Sequence, residues 1–146
     1  MINYFSKYKF FFYLCNFILI ILYLYPGSIL GWFLYNDVSL QPQITPNLNL
    51  KVSSNHVYAF LILSLIGFFT YKEIKKLKFL SIYLISLSII LEILHYFIPN
   101  RSFEFPDLFG NFMGVIIVII IFYLYKKKPR ILPGYKYKII KTKLHK

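Results

Sequence analysis

The chain has 146 residues, of which 58% are hydrophobic and 21% aromatic, and it carries a formal net charge of +12. Its mean hydropathy of +0.61 is high for a soluble domain, so the composition favours an integral membrane protein. The length leaves little room for a second folded domain, and because the basic residues flank apolar runs, we interpret the charge as a topology signal and expect no nucleic-acid partner.

Four apolar runs predict an all-α integral membrane bundle of four transmembrane helices. The runs cover residues 10–25, 56–71, 79–98 and 108–125. A membrane span needs about 20 apolar residues; the first two runs are slightly short, but flanking Tyr, Trp and Lys side chains suit the interface. A barrel is excluded because the runs lack apolar/polar alternation and four strands cannot close one. We therefore predict a four-helix transmembrane domain over residues 1–125 and a basic cytoplasmic tail over residues 126–146.

The first run has an alternative interpretation as a signal peptide, because Lys7 and Lys9 precede it. Its apolar stretch exceeds the usual length of a signal-peptide core, and no small-x-small cleavage site follows it. We therefore expect a retained helix. The single cysteine, Cys15, lies in this run without a second thiol, so we expect it to fill the core or face lipid.

The basic residues predict that both ends of the chain are cytoplasmic. With the N-terminus inside, that side holds two basic residues before the first helix, four between the second and third, and nine in the tail. The opposite side holds only Lys51 and Arg101, which is a strong positive-inside bias. The tail has no acidic residue, so we expect it to rest on anionic headgroups, at about 1 kcal/mol per basic residue; nucleic-acid binding is the weaker alternative.

The longest connection, residues 26–55, lies on the outer side in this topology. Residues 28–35 predict a short interfacial segment with Trp32 as its anchor. Turn-forming residues dominate the second half, so we expect irregular structure there.

Polar residues concentrate where the third and fourth helices meet. The linker between these helices is short, so they are antiparallel neighbours, and the second helix begins on the same side. Six polar side chains are therefore predicted to form one layer near the outer membrane surface and to be a ligand-binding pocket. They are His56, Glu92, His95, Arg101, Asp107 and Asn111.

Glu92 is the least easily explained of them, since an ionised carboxylate within lipid costs on the order of 3 kcal/mol. It must face the bundle, find a partner or be protonated. Asp107 after Pro106 also suits a helix start, and Asn111 also suits a hydrogen bond between helices. Arg101 and Glu104 suit a weak pair in the linker.

Gly110 and Gly114 form a G-x-x-x-G motif on the fourth helix. Such a motif lets two helix backbones approach closely, and we expect it to serve helix packing here more than ligand approach.

Metal binding and catalysis receive less support from the sequence. Glu92 and His95 have the i, i+3 spacing of carboxylate-bridged metal sites, but those sites need the motif twice. A zinc site of His56, His95 and Glu92 can be drawn, yet the sequence fixes no distances. No nucleophile context singles out a serine near these histidines. We predict no metal and no other cofactor, and we favour a non-enzymatic role, with an intramembrane enzyme or metal-binding protein as an alternative.

Two motifs resemble the pattern of the VanZ-like family of bacterial membrane proteins. They are E-x-x-H-x-x-x-P-x-R from Glu92 to Arg101 and D-x-x-x-N-x-x-G from Asp107 to Gly114. The resemblance covers about residues 53–125.

The beginning of the second helix adds to this resemblance. There, "SSNHVYAF" retains the family's histidine, as His56, with aromatic residues soon after it. Two departures stand out. His95 replaces a usual Gln, and Ser53 and Ser54 replace a common Asp-Lys pair.

The family is named for a protein linked to teicoplanin resistance, so the resemblance implies a bacterial cytoplasmic (inner) membrane protein with a cell-envelope role, and it supplies no reaction. From it we expect the pocket to recognise a lipid-linked or anionic envelope group, with membrane lipids or another membrane protein as partners. Arg101 and a protonated His56 or His95 would supply positive charge, and Glu92 and Asp107 would orient them. The alternative is structural: the same side chains would only lock the helices together.

Overall fold

The computed structural model describes residues 4–45, 52–71 and 73–127. Within these ranges every regular element is helical, which confirms the all-α prediction. The helices are α1 (Tyr4–Leu24), α2 (Ile29–Tyr35), α3 (Ser54–Thr70), α4 (Ile74–Leu94), which continues into a 3-10 turn (His95–Phe97), and α5 (Phe105–Lys127). The predicted tail beyond residue 127 lies outside the described residues, as do Lys51 and Lys72.

Three helices in the described part of the chain, α1, α4 with its 3-10 turn, and α5, are long and apolar enough to cross a membrane. The predicted second span is α3, which has 17 residues. At 1.5 Å per residue it is about 25 Å long, shorter than a hydrocarbon core of about 30 Å. Of the four predicted spans, three are therefore confirmed as helices long and apolar enough to cross a membrane. The side of the membrane on which each end of the chain lies stays a prediction.

The helices α1, α4 and α5 begin three to six residues before their apolar runs. The segments before the apolar runs of α1 and α4 contain Lys, which is a good helix former, so the backbone hydrogen bonds continue through them. The segment before that of α5 is Phe-Pro-Asp, and Pro and Asp suit the first turn of a helix. The predicted short segment at 28–35 is the helix α2, whose first turn is capped by the Ser28 hydroxyl accepting from the Gly31 N–H at 3.0 Å. Asn36 ends it in the left-handed region, with φ 55°.

The helix α3 packs against α1, α4 and α5, and its contact with α5 is the most extensive. Gly110 and Gly114 lie in that contact. A Cβ on Gly110 would lie 2.6 Å from the Ser53 carbonyl oxygen, and one on Gly114 would lie 2.5 Å from the Val57 carbonyl oxygen. Because both neighbours are backbone atoms that cannot rotate away, glycine is required for this approach. The two helices begin at the same end of the bundle and run parallel.

The long helices present broad apolar surfaces outward. Between 17% and 33% of the residues in their apolar stretches are buried in the protein, and large side chains such as Phe10 and Phe79 are 69% and 75% exposed. In water each Å² of such surface costs about 25 cal/mol, and large contiguous apolar patches mark protein or membrane contacts. The outer faces of the bundle are therefore suited to lipid.

Residues 37–45 form an irregular segment that lies on the beginning of α3. The Asn55 side chain accepts from the Ile44 N–H at 2.8 Å and donates to the Pro42 carbonyl at 2.7 Å. The Gln43 side-chain oxygen accepts from the hydroxyls of Ser53 and Ser54. These bonds hold the segment as a roof over the polar end of the bundle.

Candidate functional site

The helices α1 and α4 end where α3 and α5 begin, so the polar residues of four helices meet at one end of the bundle. Five of the six side chains predicted for the pocket are brought into one contiguous network there. They are His56, Glu92, His95, Asp107 and Asn111. The sixth, Arg101, lies at the edge of the network.

Glu92 projects into the bundle and has no exposed surface. Its Oε1 accepts from the backbone N–H of Glu104 at 3.0 Å. Its Oε2 has no hydrogen-bond partner among the described residues and lies 3.9 Å from Nδ1 of His56. The predicted requirement that this carboxylate face the protein is met, and one of its oxygens is left without a donor.

His56, at the beginning of α3, contacts two polar residues of α5. Its Nδ1 lies 3.1 Å from the Oδ1 of Asn111, and its Nε2 lies 3.3 Å from the Oδ2 of Asp107. Because an amide oxygen only accepts, Nδ1 carries a hydrogen. The neutral ring would then turn the Nε2 lone pair toward a carboxylate, so a proton or another cation must lie between them.

His95 repeats this arrangement with Glu92. Its Nε2 lies 3.0 Å from the Tyr23 carbonyl oxygen, which only accepts, and its Nδ1 lies 3.4 Å from the Oε1 of Glu92. The site therefore contains two imidazole–carboxylate pairs, and Glu92 is adjacent to both histidines. Each pair must share a proton or a cation, because an unpaired carboxylate in an apolar interior is strongly disfavoured.

Tyr23, on α1, is a member of the network that the sequence did not predict. Its hydroxyl donates to the Oδ1 of Asn111 at 2.6 Å, and its ring stacks on the His95 ring with centroids 5.7 Å apart. The chain has 14 tyrosines, and the one sequence feature that distinguishes Tyr23 is its place three residues before Pro26, which puts it at the polar end of α1. Asn111 also donates to the Ser88 carbonyl at 3.4 Å, so it connects α5 with α1, α3 and α4.

Arg101 lies in the linker between α4 and α5 and is partly exposed. Its guanidinium donates to the carbonyls of Tyr25 and Leu22, at 3.4 and 3.5 Å, and forms no ion pair with Glu92 or Asp107. Partial burial lowers the pKa of Arg101, but a guanidinium stays charged at any physiological pH. The expected pairing with Glu104 does not form either, and the Glu104 carboxylate instead accepts from the Ser102 hydroxyl at 3.2 Å.

A cavity of about 420 Å³ opens beside this network. Four polar side chains of the site line it: Tyr23, His56, His95 and Arg101. Apolar side chains also line it, among them Trp32 and Phe33 of α2, and the roof segment contributes Gln43. The volume lies within the usual range for small-molecule sites, about 300–1,000 Å³. The arrangement can hold a group that is anionic at one end and apolar at the other.

No protein-family model, curated protein or solved structure matches the chain. The resemblance to the VanZ-like family therefore stays a prediction.

Proposed function

We propose that the chain is a multi-pass, VanZ-like protein of the bacterial cytoplasmic membrane, with both ends cytoplasmic, whose cavity binds the anionic head group of an envelope lipid or lipid-linked precursor. Membrane location is supported by three long apolar helices and by their exposed apolar faces. The orientation is supported by the distribution of basic residues. No reaction is part of this proposal.

The observation that carries the proposal is that Arg101 and two histidines line the same cavity as the aromatic side chains of α2. A guanidinium suits phosphate or carboxylate oxygens because its N–H groups form a rigid fork. Among the described residues Arg101 bonds to carbonyl oxygens and forms no ion pair with Glu92 or Asp107, so its charge is available to a ligand. The aromatic side chains of α2 would contact the lipid chain next to the head group.

The structural alternative is favoured by a separate observation. Hydrogen bonds of Tyr23, Asn111 and His56 connect α1, α3, α4 and α5, so this network would hold the bundle together whether or not a ligand binds. The two proposals make different predictions for a variant that still folds: the ligand-binding proposal expects weaker binding of the anionic ligand, and the structural alternative expects unchanged binding.

The test uses the fluorescence of Trp32, which is the chain's single tryptophan and lines the cavity. Protein in nanodiscs would be titrated with farnesyl diphosphate, a short prenyl phosphate, and with farnesol as its uncharged match. We expect saturable binding of the diphosphate and little binding of the alcohol. In Arg101→Gln we expect about tenfold to hundredfold weaker affinity, because a charged hydrogen bond contributes about 1.5–3 kcal/mol.

Lys78→Gln is the matched control, since it removes one exposed positive charge near the beginning of α4, at the other end of the bundle. Equal binding of diphosphate and alcohol would refute the anionic ligand. If Arg101→Gln lowers the amount and thermal stability of the protein while the folded fraction binds as wild type does, the structural alternative is the correct one.

A further inference from the structure

We propose that His56, Glu92 and Asp107 together bind one divalent transition-metal ion, with zinc as the best match. The site lies where α3, α4 and α5 meet, behind the cavity wall that His56 forms. It is independent of the anionic ligand proposed above, and neither proposal requires the other.

The first support is the geometry of the three side chains. Each offers a potential ligand atom, and these atoms lie within 4.8 Å of one another. Zinc holds nitrogen and carboxylate oxygen at about 2.0–2.2 Å, so neighbouring atoms of a tetrahedral site are about 3.4 Å apart. The distance of 3.3 Å between Nε2 of His56 and Oδ2 of Asp107 already equals such an edge. Oε2 of Glu92 lies 3.9 Å from Nδ1 of the same ring, so the Glu92 carboxylate must move toward the Nε2 side to complete three ligands.

The second support is the Oε2 atom of Glu92, which has no hydrogen-bond partner among the described residues although the side chain has no exposed surface. A buried carboxylate requires a partner or a proton. The nearest fixed cation, Arg101, is bonded to carbonyl oxygens and forms no ion pair with it. A metal ion beside Oε2 would neutralise both Glu92 and Asp107 and satisfy this oxygen.

The residues around the three ligands hold them in the orientation that a metal needs. Metal-binding histidines usually donate their other ring N–H to a carbonyl or carboxylate, which fixes the tautomer. The Asn111 oxygen accepts from Nδ1 of His56 and so leaves Nε2 for the metal. In the same way the Glu104 N–H bonds to Oε1 of Glu92, and Oε2 is left free.

This ligand set differs from the one that can be drawn on the sequence, which contains His95 instead of Asp107. In the structure, Nε2 of His95 donates to the Tyr23 carbonyl, and its Nδ1 faces the already bonded oxygen of Glu92. One imidazole with two carboxylates suits zinc, manganese or iron and disfavours copper(I), which prefers sulfur. Three protein ligands also leave a position open for water or an anionic oxygen.

The test measures metal binding directly on the full chain in detergent. Purified protein would be stripped with a chelator, re-loaded with zinc chloride and desalted, and bound zinc would be measured by mass spectrometry. We expect about one zinc ion per chain in the wild type and less than about a tenth in Glu92→Gln and Asp107→Asn, because each substitution removes a ligand. Cobalt(II) loading would give visible absorption bands that the two variants lose.

Glu73→Gln is the matched control. It changes an exposed carboxylate at the beginning of α4, whose only ion pair within the described residues is with Lys76, and it is expected to keep the full zinc content. Size-exclusion profiles would establish that each variant is folded. A folded wild type that binds no more than about a tenth of an equivalent of zinc overturns the proposal, as does a folded Glu92→Gln that retains it. Loss of zinc in His95→Gln with retention in Asp107→Asn would overturn this ligand set.

Discussion

Gly114→Ala is the substitution that most directly tests how α3 and α5 position the site. A Cβ at this position would lie 2.5 Å from the Val57 carbonyl oxygen and 2.7 Å from the Leu61 nitrogen. Ordinary contact begins at 3.4 Å, so the two helices must separate by roughly 0.9 Å. Since the clashing atoms belong to the α3 backbone, a change of rotamer cannot relieve them.

The magnitude follows from two opposing effects. Alanine is favoured over glycine in a helix by about 1 kcal/mol, whereas overpacking costs about 1–3 kcal/mol, and more when backbone must move. Because two backbone atoms of α3 stand in the way, the cost lies in the upper part of that range, and we expect a net loss of about 1–2 kcal/mol in the free energy of unfolding. The same displacement would lengthen the distance of 3.3 Å between Nε2 of His56 and Oδ2 of Asp107, and it would therefore weaken binding of the proposed zinc ion.

The assay is reversible unfolding in mixed micelles, followed by circular dichroism, with Met113→Ala as the control. Met113 is the preceding residue and is 44% exposed, so its truncation should cost less than about 0.5 kcal/mol. A Gly114→Ala protein as stable as the wild type, with unchanged binding, would refute the close approach of the two helices.

Three further predictions concern Tyr23, Asp37 and Trp32. Tyr23→Phe removes the donor to Asn111 and should lower the free energy of unfolding by about 0.5–1.5 kcal/mol in the same assay. Tyr25→Phe, which changes a half-exposed tyrosine nearby, should leave the free energy of unfolding unchanged. Equal effects of the two substitutions would contradict the role of the Tyr23 hydroxyl. Hydrogen bonds from the Ser39 hydroxyl, and to a smaller extent from its N–H, hold the pKa of Asp37 below its ordinary value. The stability that these bonds contribute is therefore present above the ordinary pKa of an aspartate and is lost as the pH falls through the lowered pKa of Asp37. Ser39→Ala should raise the pKa of Asp37 measured by NMR, and an unchanged pKa would contradict this role of Ser39. Trp32, at 55% exposure on α2, should be quenched more strongly by lipids brominated near the headgroup than by lipids brominated near the chain end, and the reverse order would place α2 away from the interface.

The sequence was sufficient for the helices and for much of the site because both depend on local patterns. The apolar runs predicted four spans, and three of the helices are long and apolar enough to cross a membrane. The spacing of Glu92 with His95 and of Asp107 with Asn111 put each pair on one helix face. The short linker then brought α4 and α5 together. The boundaries were less well predicted, since lysine-bearing flanks such as residues 74–78 continue the helix although they end the apolar run.

The remaining features of the site depend on tertiary contacts that no spacing encodes. Tyr23 lies among similar tyrosines in α1, and only the packing of α1 against α3 and α4 selects it. The three-ligand cluster joins His56 to Asp107, which are 51 positions apart in the chain. Local spacing instead favoured His95 as the partner of Glu92 in a metal site. Only the structure shows which groups the two ring nitrogens of His95 contact.

The roof segment, and not the length of α3, accounts for the protein cover over the polar end of the bundle. The beginnings of α3 and α5 lie level with each other, because the Ser53 N–H donates to the Pro106 carbonyl at 3.1 Å and Gly110 allows close backbone contact with Ser53. The roof segment lies on the beginning of α3 and is held there by hydrogen bonds of Asn55 and Gln43. Protein and not lipid therefore covers the histidines and the carboxylates, which lowers the cost of keeping them in an otherwise apolar bundle.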